Sequence, residues 1–134
     1  MSYFEYTRAD VDLAVKDAVQ AARNSFLAEL ALEAFTVASS KGWEEDGDKR
    51  TFPEECMLVT SEISEAFEAY RKRGFESWEE GPDNKPEGVA SEFADTFIRL
   101  LHYCHTRNID LWYEYQRKTA YNRTRPYRHG LKRL

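Results

Sequence analysis

Four acidic residues of the chain fall into two pairs of equal spacing, Glu62 with Glu65 and Glu92 with Asp95. Side chains three apart on an α-helix leave it on the same side. Each pair therefore aims two carboxylates in one direction, and two such helices packed together can present four to one point. Both pairs also border apolar arcs. Glu62 is flanked at helical spacing by Leu58, Val59, Ala66 and Ala69, while Glu92 and Asp95 lie beside Val89, Phe93, Phe97, Leu100, Leu101 and Cys104. An ionised carboxylate against an apolar face is costly unless it is paired or bound to a cation, and clustered hard oxygen donors suit Mg²⁺, with Mn²⁺ as a substitute. The competing reading is a pair of solvated Glu-x-x-Glu faces. Glu54 and Glu68 fit a capping turn and a solvated face; Glu55 shares the Glu62 side two turns earlier and could join the site. Glu44, Glu45, Asp46 and Asp48 read as loop acids.

Further along, Lys118, Tyr121, Asn122 and Arg125 are spaced i, i+3, i+4 and i+7. On one helix they form a stripe that offers an ammonium, an amide and a guanidinium to phosphate oxygens. The same stripe also reads as an ordinary basic last turn that complements the helix dipole. The charge distribution has the same polarity. Residues 117–134 hold seven of the 19 Lys and Arg and none of the 24 Asp and Glu, so an acidic body precedes a basic end. Such an end could grip nucleic acid, but few aromatic residues accompany it and no nucleic-acid-binding fold precedes it, which argues against that partner.

The elements that must position these groups are helical. A first segment runs from about Arg8 or Asp10 to Ser39, with Asn24-Ser25 as a break or cap between two helices, and Gly42 ends it. A loop spans Gly42 to Thr51 and contains Trp43. A second helix is expected over Pro53 to Arg73, stopping at Gly74, with Leu58, Val59, Ile63, Ala66, Phe67 and Tyr70 facing the core. Gly81, Pro82, Asp83, Asn84 and Pro86 mark a loop from Phe75 to Gly88. Helices over Val89 to Thr106 and from the N-cap Asp110 to Asn122 or Arg123 follow, closed by Pro126. No run alternates as a β-strand does. The fold class is all-α: a bundle of four to five helices in one domain over 1–134, with 126–134 as a basic tail.

The chain's 134 residues, 42% hydrophobic and 14% aromatic, suffice to close one core and are too few for two domains of ordinary size. With 32% charged residues, no stretch approaches the about 18 apolar residues of a membrane span. Met1 to Tyr6 lacks the basic start and apolar run of a secretory signal, so a cytoplasmic protein is expected. Cys56 and Cys104 lie in apolar helical patterns and are expected as buried free thiols. Two distant cysteines and three late histidines do not make a zinc site of ordinary spacing.

Taken together, these residues resemble the all-α nucleoside triphosphate pyrophosphohydrolases, and among them the small MazG-like proteins. The resemblance runs from about Lys41-Gly42-Trp43 to the C-terminus. It is carried by Ser61-Glu62-Ile63-Ser64-Glu65-Ala66, by Glu92-Phe93-Ala94-Asp95, and by the run from Lys118 through Tyr121, Asn122 and Arg125 to Gly130. The family often has a further acid where Ser61 stands. The resemblance implies a helical bundle that dimerises through helices and cleaves a nucleotide between its α and β phosphates to give a monophosphate and pyrophosphate. It implies that Glu62, Glu65, Glu92 and Asp95 hold Mg²⁺, and that one of these carboxylates takes a proton from a metal-activated water. Lys118 and Asn122 would contact phosphate or order the metal shell, with Tyr121 and Arg125 as weaker candidates. Trp43, Phe26 and Phe35 become candidates to wall off a base; core packing is the other reading of the two phenylalanines. A nucleotide-binding module without catalysis, an adaptor that uses the basic tail, and an alarmone hydrolase are the alternatives.

Overall fold

The computed structural model describes residues 8–43, 45 and 50–127. It is predominantly helical: α1 spans Arg8–Ser40, α2 Phe52–Arg73, α3 Val89–Thr106 and α4 Leu111–Thr124. Two three-residue strands, β1 (Trp78–Glu80) and β2 (Lys85–Glu87), lie between α2 and α3. The chain divides into two compact units, one of residues 28–108 and the other of residues 1–27 and 109–134. Among the described residues, no helix is long and apolar enough to cross a membrane. The loop acids Glu44, Asp46 and Asp48 and the tail from Arg128 onward lie outside the described residues.

The expected break at Asn24-Ser25 does not occur, for α1 is one helix of 33 residues. Residues 8–40 contain neither Gly nor Pro, and Asn and Ser cost little inside a run of Ala, Leu and Glu. The helix stops where Gly42 takes φ +85°. The Gly42 amide donates to Ser39 O and the Trp43 amide to Ala38 O, at 3.0 and 3.2 Å. These bonds form a Schellman motif, in which the glycine's left-handed conformation lets the reversing chain satisfy the last carbonyls. Trp43 is thereby fixed one residue beyond the turn.

The start of α2 is set by Thr51. Its amide and its hydroxyl both donate to Glu54 Oε2, at 2.6 and 2.8 Å, within a capping box that pairs Thr51 with Glu54, and Pro53 fits the first turn. From that origin the helix packs antiparallel to α3. Phe52 meets Tyr103 near the end of α3, Glu62 meets Arg99, and Ala66 and Ala69 form a small core with Val89 at its start.

The buried stripe of α2 is thus Glu55, Glu62, Ala66 and Ala69, not the larger apolar set expected. Ile63, Phe67 and Tyr70 are 47%, 61% and 48% exposed, and Phe93, Phe97 and Leu100 of α3 are exposed as well. The alanines let the two helices approach closely, and the bulky side chains beside that seam stay uncovered within the chain. Cys104 is a buried free thiol, its pKa raised by burial, but Cys56 is exposed, because position 56 follows the buried stripe by one residue.

The expected loop after α2 contains an antiparallel hairpin that pairs Trp78 with Glu87, Glu79 with Pro86 and Glu80 with Lys85. Strands this short carry no alternation to read, whereas their turn residues, Gly81 at φ +78° and Asn84 at +54°, were legible. Trp78 packs on the alanine seam, with the Arg73 guanidinium 4.8 Å from its ring centroid. The hairpin joins α3 at Gly88, where φ is +118° and a Cβ would lie 2.9 Å from Glu76 O and 3.2 Å from Ser77 Cα. Gly74, at φ +62°, has open space around it. Gly88→Ala should therefore lower the unfolding free energy by about 3 kcal/mol, combining strain and a backbone clash, and Gly74→Ala by about 1 kcal/mol from strain alone. Chemical denaturation of the two variants checks the order.

Candidate metal centre and adjoining cleft

Both acidic pairs lie in the unit of residues 28–108, where the α2/α3 seam determines what they meet. Glu62 and Glu92 are buried and Glu65 is exposed, and ligand oxygens from these three carboxylates lie within 4.8 Å of one another. Asp95, one turn beyond Glu92, is not a member of that group of three, yet it stands close enough to Glu62 for the two charges to repel. The structure thus brings three of the four sequence-derived acids to one point and the fourth to its edge.

Local partners hold this crowd of like charges. Arg99 Nε donates to Glu62 Oε1 at 2.6 Å, so a guanidinium from α3 neutralises the carboxylate that α2 buries. Ser61 Oγ, at the position where the resemblance would place another acid, donates to Glu65 Oε1 at 3.0 Å. The hairpin supplies Lys85, bonded to Glu87 at 2.6 Å; its charge opposes those of Glu92 and Asp95. Burial first, then the charges of Glu65, Glu87 and Asp95, push the Glu92 carboxyl above its ordinary pKa. Asp95 is raised by burial and then by Glu62. Lys85 is raised through its bond to Glu87.

The donor set fits a hard divalent cation. The oxygens are all carboxylate, they converge within coordination reach, and in two of the acids burial, followed by neighbouring like charge, disfavours the ionised form.

Beside this cluster opens a cleft of about 490 Å³. Glu62, Asp95 and Arg99 line it together with Trp43, Arg50, Glu55 and His102, and Ala34, Ala38, Leu58 and Ile98 supply apolar wall. Trp43, 67% exposed, is the aromatic residue of the lining that sequence reading had singled out. Phe35 is not in the lining; it stacks on His102 and meets His105 at a tilt, both of α3, with centroids 6.0 and 4.7 Å away. Phe26 belongs to the other unit and is exposed.

In that other unit, α4 carries the basic stripe. Asp110 caps it by accepting from the Tyr113 amide at 2.9 Å, as its sequence position suggested. Lys118 Nζ and the Arg125 guanidinium stand 5.9 and 6.0 Å from the Tyr121 ring centroid. The helix ends at Thr124, so Arg125 flanks Tyr121 from an extended C-cap, not from a further helical turn. Asn122 is exposed, and its carbonyl accepts from the Arg125 amide.

Sequence reading missed Arg50, Arg99, Lys85 and His102. Arg99 was within reach, since it stands four residues after Asp95 and so on the same side of α3. Lys85 depends on the hairpin, and Arg50 on where the loop before α2 returns. Comparison with protein-family models, with curated proteins and with solved structures finds no match to this chain.

The raised pKa values have a definite sign for stability. Glu92 and Asp95 bind protons more tightly folded than unfolded, so they favour the fold below their ordinary pKa values, and that contribution is lost as pH rises through the folded values. Without divalent cations, Glu92→Gln should melt a few degrees above the wild type at neutral pH. The gap should close in acid, below the ordinary Glu value of 4.5. Thermal melts followed by circular dichroism across pH check both.

Proposed function

We propose that the chain is a MazG-like, Mg²⁺-dependent nucleotide pyrophosphohydrolase, which cleaves a nucleoside triphosphate between its α and β phosphates to give a monophosphate and pyrophosphate. The observation that carries this reading is the convergence of Glu62, Glu65 and Glu92 within 4.8 Å, from two antiparallel helices, with Glu62 also lining a cleft that has an indole in its wall.

In this reading Glu62, Glu65 and Glu92 hold the ion, and Asp95, at the border between cluster and cleft, is a fourth ligand or the acceptor of a water proton. Bound Mg²⁺ would withdraw charge from the phosphates and acidify a coordinated water. Arg99 holds the Glu62 carboxylate in place through its 2.6 Å bond. The apolar wall and Trp43 receive the nucleoside, whose dry face excludes competing water from that side.

Pyrophosphate release from a panel of deoxy- and ribonucleoside triphosphates, with and without Mg²⁺, tests the activity. Glu62→Gln and Asp95→Asn should each reduce release to background while the helical circular dichroism stays intact. Turnover that survives both changes overturns the reading, and nucleotide binding without product would make the chain a sensor instead.

The exposed stripes Ile63-Phe67-Tyr70 and Phe93-Phe97-Leu100 support the proposal that two copies associate through α2 and α3, since large apolar residues at helical spacing seek cover. Sedimentation equilibrium should give a dimer, and Phe67→Glu should shift it toward monomer. A wild-type monomer at micromolar concentration would count against the association.

A further inference from the structure

Arg99 meets Glu62 through the inner nitrogen of its guanidinium. Nε donates to Glu62 Oε1 at 2.6 Å, which uses one of the five N–H donors that an arginine carries. Its side chain makes no other hydrogen bond among the described residues. The buried side-chain polar atoms without a partner, among those residues, are Ser39 Oγ, Glu55 Oε1 and Trp112 Nε1. The two Nη nitrogens of Arg99 are therefore open to solvent. In agreement, the side chain is 35% exposed and lines the cleft.

A guanidinium anchored by Nε keeps its outer edge for a ligand, and the two Nη groups of that edge match a pair of phosphate or carboxylate oxygens. The anchor decides between these anions. Glu62 is one of the three carboxylates that converge within 4.8 Å, so the open edge stands beside the candidate cation centre. The cleft is lined by two cations, Arg50 and Arg99, and by three carboxylates, Glu55, Glu62 and Asp95. It repels a bare anion. A divalent ion on Glu62 would take over the charge that Arg99 now balances, and the attraction of the guanidinium would pass to an anion beside the ion. Phosphate has oxygens enough to meet both at once.

We propose that Arg99 is a phosphate-binding residue: held on Glu62 by Nε, it grips through its Nη groups the phosphate chain of a nucleotide whose other oxygens lie on the metal ion, and it does so only when the ion is loaded. The inference rests on the nucleotide reading of the cleft but does not require hydrolysis.

Calorimetric titration of the full chain with Mg²⁺ alone, and of the Mg²⁺-loaded chain with the nonhydrolysable α,β-imido analogues of the four common deoxynucleoside triphosphates, tests it. For the analogue that binds wild type most tightly, Arg99→Gln should weaken binding at least about tenfold, the worth of one hydrogen bond from a charged donor. Its affinity for Mg²⁺ alone should equal or exceed that of wild type, because a competing positive charge is gone. A residue that only holds Glu62 would show its loss in Mg²⁺ binding. A nucleotide loss no larger than the Mg²⁺ loss therefore overturns the proposal.

A second readout needs no variant. Phenylglyoxal condenses with the Nη pair of an arginine, so in the Mg²⁺-loaded wild type Arg99 should be modified, and the bound analogue should shield it, as mass spectrometry of the digested protein will show. An Arg99 that resists the reagent without nucleotide, or reacts as fast with it, overturns the proposal even if Arg99→Gln fails to fold. Shielding without pyrophosphate release from the natural triphosphates would refute the hydrolase reading and uphold this one. Release without shielding would do the reverse, and a wild type that binds none of the analogues ends both.

Discussion

Like charges held together in a partly dehydrated seam are the constraint around which the larger unit is arranged. Glu62, Glu65, Glu92 and Asp95 repel one another, and burial removes the water that would screen them. The surrounding side chains answer that repulsion one residue at a time. Arg99 takes Glu62, Ser61 donates to Glu65, and Lys85 reaches the site from the hairpin. Even so, Glu92 and Asp95 keep raised proton affinities, so the compensation is incomplete. Three of these carboxylates converge closely enough that they could hold a metal ion.

The packing is subordinate to that arrangement. α2 meets α3 through Ala66 and Ala69, residues small enough to bring the two helix axes close, with Val89 and Trp78 covering one end. Close axes let carboxylates from both helices share one point. The cost falls on the larger apolar side chains, which lie outside the seam and remain exposed in the single chain. A thin core and exposed phenylalanines are thus two results of one geometric choice.

Much of this was legible from residue types and spacing. Both acidic pairs, the helices that carry them, the stop at Gly42, the cap at Asp110 and the turn residues near Gly81 follow from local rules, because capping and turn chemistry act over a few residues. What was not legible depended on phase and on long-range pairing. Counting apolar residues placed Ile63, Phe67 and Tyr70 inside; the stripe that faces α3 is rotated toward Glu55 and Glu62, and only the partner helix decides that rotation. The Asn24-Ser25 break failed because two residues of middling helix propensity cannot interrupt 33 residues that lack Gly and Pro. The hairpin was hidden by its brevity, and with it the arrival of Lys85.

The joint between β2 and α3 has a consequence for how the chain can vary. Ser91 Oγ donates to Pro86 O at 3.0 Å, Gly88 passes against the Glu76 and Ser77 backbone, and Glu92 follows one turn later. Each residue added to or removed from this joint turns all of α3 by about 100° about its axis, carrying Glu92, Asp95 and Arg99 out of register with α2 together. Side chains along the segment are open to exchange, but its length is frozen, so insertions and deletions should accumulate at the hairpin tip near Pro82 and Asp83 and be missing from the three residues that lead into the helix.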